Sequence, residues 1–356
     1  MKTPALLLLA TVTANLLYAQ EGTEPTENWI EVNLAVTDAQ VIPPYSAFST
    51  SSVELSAQGA LFCQAPTTQT LEAFRTAFHA SMDAWQQIQH IQFGPVTYFN
   101  WNFRLQYWPD ENGTGARQLD ALIAGNNAEG LDSENFSRES VGVQGFPALE
   151  SLLFAEDSLQ QLQINPFRCQ VAQTIARNIS EIASGVHTRW VEEFRNTIAN
   201  ADERGFFESA EDATIDFLKA QVEPVRRIQQ QKVEAVLGDN EARQRVRRAE
   251  SWRSDRSIRN IKLNVLALEQ LFNGSAAIQL NNVFYGEDVA IINAIFEELD
   301  AVLTPLPDGF AAVLEQAEGR GQPLAVAEKL DALFEALEAG LKNTDLYLGF
   351  NSLDGD

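Results

Sequence analysis

The stretch Val171–Phe194 reads VAQTIARNISEIASGVHTRWVEEF, and its apolar spacing decides the fold class. Ile175, Ile179, Ile182, Val186, Trp190 and Phe194 recur every three or four residues, which draws one apolar stripe along a long amphipathic helix. Ile258, Ile261, Val265, Leu268 and Phe272 repeat the pattern, and Asn273-Gly274 supplies a stop. The same reading predicts helices over about 29–62, 69–92, 207–237, 241–250, 285–303, 308–318 and 322–342. Pro43-Pro44 is expected to break or kink the first of these. No run alternates as a strand would, so the chain is read as all-α.

Ahead of the helices, residues 1–19 read as an export signal. Lys2 is the only charge, Ala5 to Leu17 is apolar, and Ala19 is a small residue suited to cleavage. No cysteine follows for lipid attachment, and no later stretch is apolar enough to span a bilayer. The expectation is a periplasmic protein. Its formal net charge of −24 argues against nucleic acid or anionic lipid as the main partner and leaves cations and basic groups open. Cys63 and Cys169 are the only cysteines. In an exported chain an even count favours one disulfide, with two buried free thiols as the alternative.

The least regular part is about 93–145, with Phe93-Gly94-Pro95, Tyr98-Phe99-Asn100-Trp101, Tyr107-Trp108-Pro109-Asp110 and Asn112-Gly113-Thr114-Gly115. A long loop inside a helical protein is often functional. The other reading is an aromatic lid sealing the ends of a bundle. Asn200-Ala201-Asp202-Glu203-Arg204-Gly205 is polar and breaks the helical pattern, which divides the mature chain into 20–203 and 204–356.

Gly145-Phe146-Pro147-Ala148-Leu149-Glu150 has the frame of a helical Gly-x-His-x-x-Glu, with proline at the histidine position. Its continuation Ser151-Leu152-Leu153-Phe154, together with Trp85, Phe93-Gly94-Pro95, Arg168-Cys169, Ala249-Glu250-Ser251-Trp252-Arg253-Ser254, Ser257-Ile258-Arg259-Asn260 and Leu348-Gly349-Phe350-Asn351, resembles the imelysin-like family. These are exported bacterial proteins also grouped as metallopeptidases. The resemblance implies two packed helical bundles with a cleft between them, and links to iron uptake, to the cell envelope and, in early descriptions, to peptide cleavage. The motif's Gly145 and Glu150 carry over, and its histidine does not. Proline suits a first helical turn, so a loop-to-helix start with Glu150 near the helix dipole is one reading. A retained ligand- or metal-binding role for Glu150 is the other.

The remaining chemistry is sparse. His79 and Asp83 are four apart on a predicted helix and could share a face, as a metal site requires, although a histidine with a nearby acid is common on ordinary helices. His187 reads as a packing residue beside Trp190, and no His-Glu-x-x-His motif occurs. A basic cluster runs from Arg226 to Lys262 and includes Arg243, Arg247, Arg248, Arg253 and Arg256. It serves either internal neutralisation or an anion or chelate pocket near Trp252, Arg253, Ser254 and Ser257. Asp354-Gly355-Asp356 is too short to hold calcium alone.

The resulting expectation is a non-catalytic binding protein with an inter-bundle cleft. Glu150, Gly145, Trp108, Trp252, Arg253, Ser254 and Ser257 would line it. By resemblance the ligand is iron, another divalent or trivalent cation, or a metal chelate, and a cell-envelope protein is the candidate macromolecular partner. A metallopeptidase and an envelope scaffold without a small ligand are the alternatives.

Overall fold

The computed structural model describes residues 25–348 except 111, 203–204, 275–277, 345 and 347. The expected signal at 1–19 and the Asp354-Gly355-Asp356 segment lie outside the described residues, as does part of the expected boundary at 203–204. Among the described residues the regular structure is helical with no strand. No described helix is long and apolar enough to cross a membrane.

The main helices are α1 (Trp29–Val36), α2 (Ile42–Gln64), α3 (Thr68–Gln86), α4 (Thr114–Gly125), α5 (Phe146–Leu153), α6 (Pro166–Arg189), α7 (Ala210–Arg227), α8 (Ser257–Asn273), α9 (Gly286–Leu303) and α10 (Gly321–Lys342). In the first bundle α2 lies along both α3 and α6, and α5 packs on α3 and α6. Gly59 permits the closeness: a Cβ there would stand 3.0 Å from the Phe74 ring and 3.5 Å from Ala176. Phe48, Phe78, Trp85 and Phe146 fill the interior between these helices. In the second bundle α7 packs on α10, α10 on α9, and α9 on α8. The Arg226 guanidinium lies 3.9 Å from the Phe334 ring centroid and pairs with Asp331, which ties α7 to α10.

Pro43 and Pro44 do not end the first helix. A π turn, Thr37–Val41, carries α1 into α2, and the prolines fall in the opening turn of α2 where their missing N–H groups matter least. Similar π turns extend α6 through Trp190–Phe194 and α7 through Ile228–Glu234, the latter downstream of the interior Pro224.

Two expectations need correction. Residues 241–250 form no continuous helix, only the 3₁₀ turns Glu241–Arg243 and Val246–Arg248, because this charged run has no apolar stripe to bury. Residues 93–145 are not loop throughout, since α4 forms within them. The Asp110 carboxylate accepts from the Thr114 and Gly115 N–H groups at 2.7 and 2.9 Å and caps the helix, while Leu119 is buried.

Cys63 and Cys169 form a disulfide that staples the end of α2 to the start of α6. Elsewhere a buried polar seam joins the two bundles. The Lys232 ammonium, in the third π turn, donates to Glu250 at 2.7 Å, Asn264 at 2.7 Å and Gln86 at 3.1 Å. Asn260 and Gln106 donate to the same Glu250 carboxylate at 2.8 and 2.9 Å. From Asn260 the seam continues to Arg256, whose Nε donates to the Asn260 side chain at 2.8 Å. Arg256 in turn pairs with Asp83 of α3 and donates to His79 Nδ1 at 3.0 Å, and Arg259 grips Asp83 at 2.6 and 2.9 Å. A guanidinium only donates, so His79 must be neutral there with its proton on Nε2. With both Asp83 oxygens held by arginines, the His79–Asp83 pair is part of an inter-bundle ion network and has no shared open face for a metal.

Opening the disulfide frees a loop of 106 residues in the unfolded chain, worth about 4–5 kcal/mol in the chain-entropy limit. Reduction, or the Cys63→Ser/Cys169→Ser variant, is expected to lower the melting temperature by several degrees while helical circular dichroism at 25 °C is kept. Burial and Arg256 hold the His79 pKa down to about 4, and burial holds that of His90 down to about 3. The unfolded chain takes up protons near pH 6.5 that these folded rings refuse, so stability falls as pH drops from about 6.5 toward 4. Guanidinium midpoints at pH 7 and pH 5 should therefore differ less in His79→Gln than in the parent. An equal difference in both proteins would mean that folded His79 takes up its proton normally.

Candidate functional site

A cavity of about 570 Å³ opens between the bundles. Tyr107, Trp108 and Pro109, with α4 behind them, form one wall, and Pro147, Glu150 and Ser151 of α5 form the floor. The second bundle contributes Gln231, Arg247, Arg248, Trp252 and Arg253. The volume suits a small organic molecule.

The floor depends on Gly145. It is the N-cap of α5, and a Cβ there would stand 2.2 Å from the Leu105 carbonyl oxygen and 2.3 Å from that of Arg104. Only glycine lets the chain pass so close. Arg104 is itself fixed, donating to the side chains of Gln144 at 2.5 Å and Asn178 at 2.9 Å. The Tyr107-Trp108 wall therefore starts from a braced segment. Pro147 falls in the first turn of α5, as expected for proline, whereas Glu150 lies a turn further on, beyond the dipole's main reach.

Glu150 is buried, and one of its oxygens accepts from the Ser254 N–H at 2.8 Å and the Ser254 hydroxyl at 2.7 Å. Burial pushes its pKa up, against the Ser254 hydrogen bonds and the charges of Arg253 and Arg256. The segment it grips is strained. Ser251 and Asp255 have φ of +52° and +53°, a left-handed conformation costing about 1–2 kcal/mol per non-glycine residue. Glu150 at Ser254 and Asn260 at Ser251 hold this turn, and the turn presents Trp252 and Arg253 to the cavity.

Trp252 gathers two cations. The Arg253 guanidinium carbon lies 4.4 Å and that of Arg247 5.5 Å from its ring centroid, contacts worth about 0.5–1 kcal/mol each when exposed. Elsewhere in the basic cluster Arg226, Lys232, Arg243, Arg256, Arg259 and Lys262 each meet a carboxylate. Internal neutralisation thus accounts for these six. Among the described residues no carboxylate lies within 4 Å of Arg247, Arg248 or Arg253, and all three border the cavity.

Of the residues expected at the cleft, Trp108, Glu150, Trp252 and Arg253 line it. Gly145, Ser254 and Ser257 stand behind the wall: Gly145 is a packing position, Ser254 is engaged by Glu150, and Ser257 is buried at the start of α8. Arg256, grouped with Arg253 in the sequence, belongs to the seam. The sequence reading did not select Tyr107, Gln231, Arg247 or Arg248 as site residues. The aromatic run and the basic cluster were the signals for three of them, and nothing local marks Gln231.

A resident cation of the kind the resemblance implies would need several donors around Glu150. Pro147 has none, Asp110 is engaged in capping α4, and among the described residues no three His, Cys, Asp or Glu side chains converge. The donor set does not fit a protein-bound metal at this motif.

The imelysin (peptidase M75) family profile matches residues 41–338. Iron-regulated protein A of Synechococcus elongatus is 29% identical over 155 residues, which is 43% of this chain and 38% of that relative's length. An imelysin-like protein from Psychrobacter arcticum superposes with a TM-score of 0.72 at 20% identity, over 90% of this chain and 97% of that one. A chain from Parabacteroides distasonis gives 0.69 at 15% identity, over 90% and 96%. At such identities the superpositions bear on the fold, while the profile spans most of the sequence, and on that ground this chain belongs to the imelysin family.

Proposed function

We propose that this chain is an exported binding protein of the periplasm or cell envelope whose inter-bundle cavity holds a small ligand and performs no chemistry on it. Metal reaches the site inside an organic chelate, which links the protein to iron or related metal uptake. The observation that carries the reading is the state of Glu150. The one carboxylate retained from the motif accepts two hydrogen bonds from Ser254 and shapes a wall of tryptophan and arginine, and among the described residues no three metal-binding side chains converge there. The Cys63–Cys169 disulfide suits an oxidising compartment, and the name of the Synechococcus relative supports the iron connection.

Because Glu150 works as an acceptor, its amide replacement should keep the wall and its truncation should not. Glu150→Ala leaves the buried Ser254 N–H unpaired and its hydroxyl with only the longer bond to the Ser251 carbonyl at 3.2 Å, and is expected to cost about 1–3 kcal/mol in urea denaturation, whereas Glu150→Gln retains an acceptor and stays near the parent. Elemental analysis of protein from its own periplasm tests the function. Metal should accompany an extractable organic chelator and persist in Glu150→Gln. Stoichiometric metal without any organic component, lost in Glu150→Gln, would show a protein-ligated centre instead. Chelator-sensitive cleavage of casein that disappears in the same variant would make the protein a peptidase.

A further inference from the structure

Resting on the reading of the cavity as a small-ligand site, we infer that the ligand is a polyanion bearing carboxylates or equivalent oxyanions, recognised by Arg247, Arg248 and Arg253 around Trp252. The basis is the gathering of three arginines without carboxylate partners at one opening. Six bases of the 226–262 cluster pair with a carboxylate. Among the described residues five do not: Arg227 and Arg245 lie outside the cavity lining, whereas Arg247, Arg248 and Arg253 border it together, and two of these share a single indole ring that cannot neutralise either.

The cavity's own acids do not compensate. Asp110 is turned to the N–H groups of Thr114 and Gly115, and Glu150 to Ser254. A ligand entering between the bundles therefore meets aromatic faces and guanidinium forks, with the nearby carboxylates already engaged by donors of the protein. Guanidinium binds carboxylate through paired N–H···O bonds, and several forks around one opening favour a ligand with several such groups. The overall negative charge does not oppose this, because at physiological salt charges beyond about 8 Å are largely screened while the arginines make contact. A Trp252 ring holding Arg253 and Arg247 limits their rotamers before the ligand arrives, which reduces the ordering cost of binding.

The test is calorimetric titration of the mature, disulfide-bonded protein with three probes: citrate, ferric citrate and a neutral ferric trihydroxamate chelate. The expected result is saturable binding of citrate or ferric citrate, weakened at least tenfold on raising sodium chloride from about 50 to 500 mM, with the neutral chelate much weaker. Arg247→Ala/Arg253→Ala should lower affinity for the anionic probes at least tenfold. The lysine pair Arg247→Lys/Arg253→Lys should recover part of that loss, since charge is kept and the fork is not. These side chains are exposed, so melting temperatures should match the parent and exclude misfolding as the cause. Tight binding of the neutral chelate, untouched by salt and by the arginine substitutions, would overturn the polyanion inference while leaving a small-ligand cavity. No saturable binding of any of the three probes at either salt concentration would overturn both.

Discussion

The buried pair of Lys232 and Glu250 is the constraint on which the arrangement of the two bundles rests. An ammonium and a carboxylate out of water are tolerable only when every hydrogen-bonding position around them is used, and here Gln86, Gln106, Asn260 and Asn264 complete the shell. Burial pushes the Lys232 pKa down, against the attraction of Glu250. Such a pair adds little net stability over an apolar replacement, but removing one partner strands the other at a cost of about 3–5 kcal/mol. Its participants come from α3, the segment after Trp101–Leu105, the third π turn, the 246–256 segment and α8. In the placement these five pieces adopt, the donors around the pair are satisfied, so the seam holds the bundles as they meet and with them the shape of the cavity between them.

The motif at Gly145–Glu150 takes on a structural meaning in that setting. Gly145 allows the backbone of Arg104 and Leu105 to pass against it, Pro147 starts α5, and Glu150 reaches across to the second bundle to hold Ser254. What the motif achieves here is the placement of a strained turn, with its two left-handed residues, at the lip of the cavity. The chemistry shown to the ligand belongs to the neighbours of the clamp, Trp252 and Arg253, more than to the clamp itself.

The helices were legible wherever an apolar stripe had a partner to bury against, as in Ile175–Phe194 or Ile258–Phe272. They were not where the stripe was absent or the cap was unconventional. The 241–248 run lacks an apolar stripe, and α4 starts after the N-cap Gly113 with its capping carboxylate, Asp110, several residues back, a signal that propensity does not contain. Trp108, Glu150, Trp252 and Arg253 could be picked out because tryptophan, arginine and a motif carboxylate are conspicuous. The roles of Ser254 and Ser257 could not, since a serine facing a cavity and one standing behind its wall look alike in sequence. Sorting Arg256 from Arg247 required knowing which acids each can reach, which is a property of the assembled bundles.

Lys232 sits in a π turn, and that has a meaning for descent as well as for geometry. A π turn holds one more residue than the α-helical turn it replaces, and each residue advances an α-helix by 100°. An ancestor without the extra residue would have aimed a different position of this helix at Glu250 and left the lysine facing elsewhere. A single-residue length difference at this turn would therefore amount to a change of helix face. An alignment that smooths such a gap away would pair Lys232 with residues that never occupied its place.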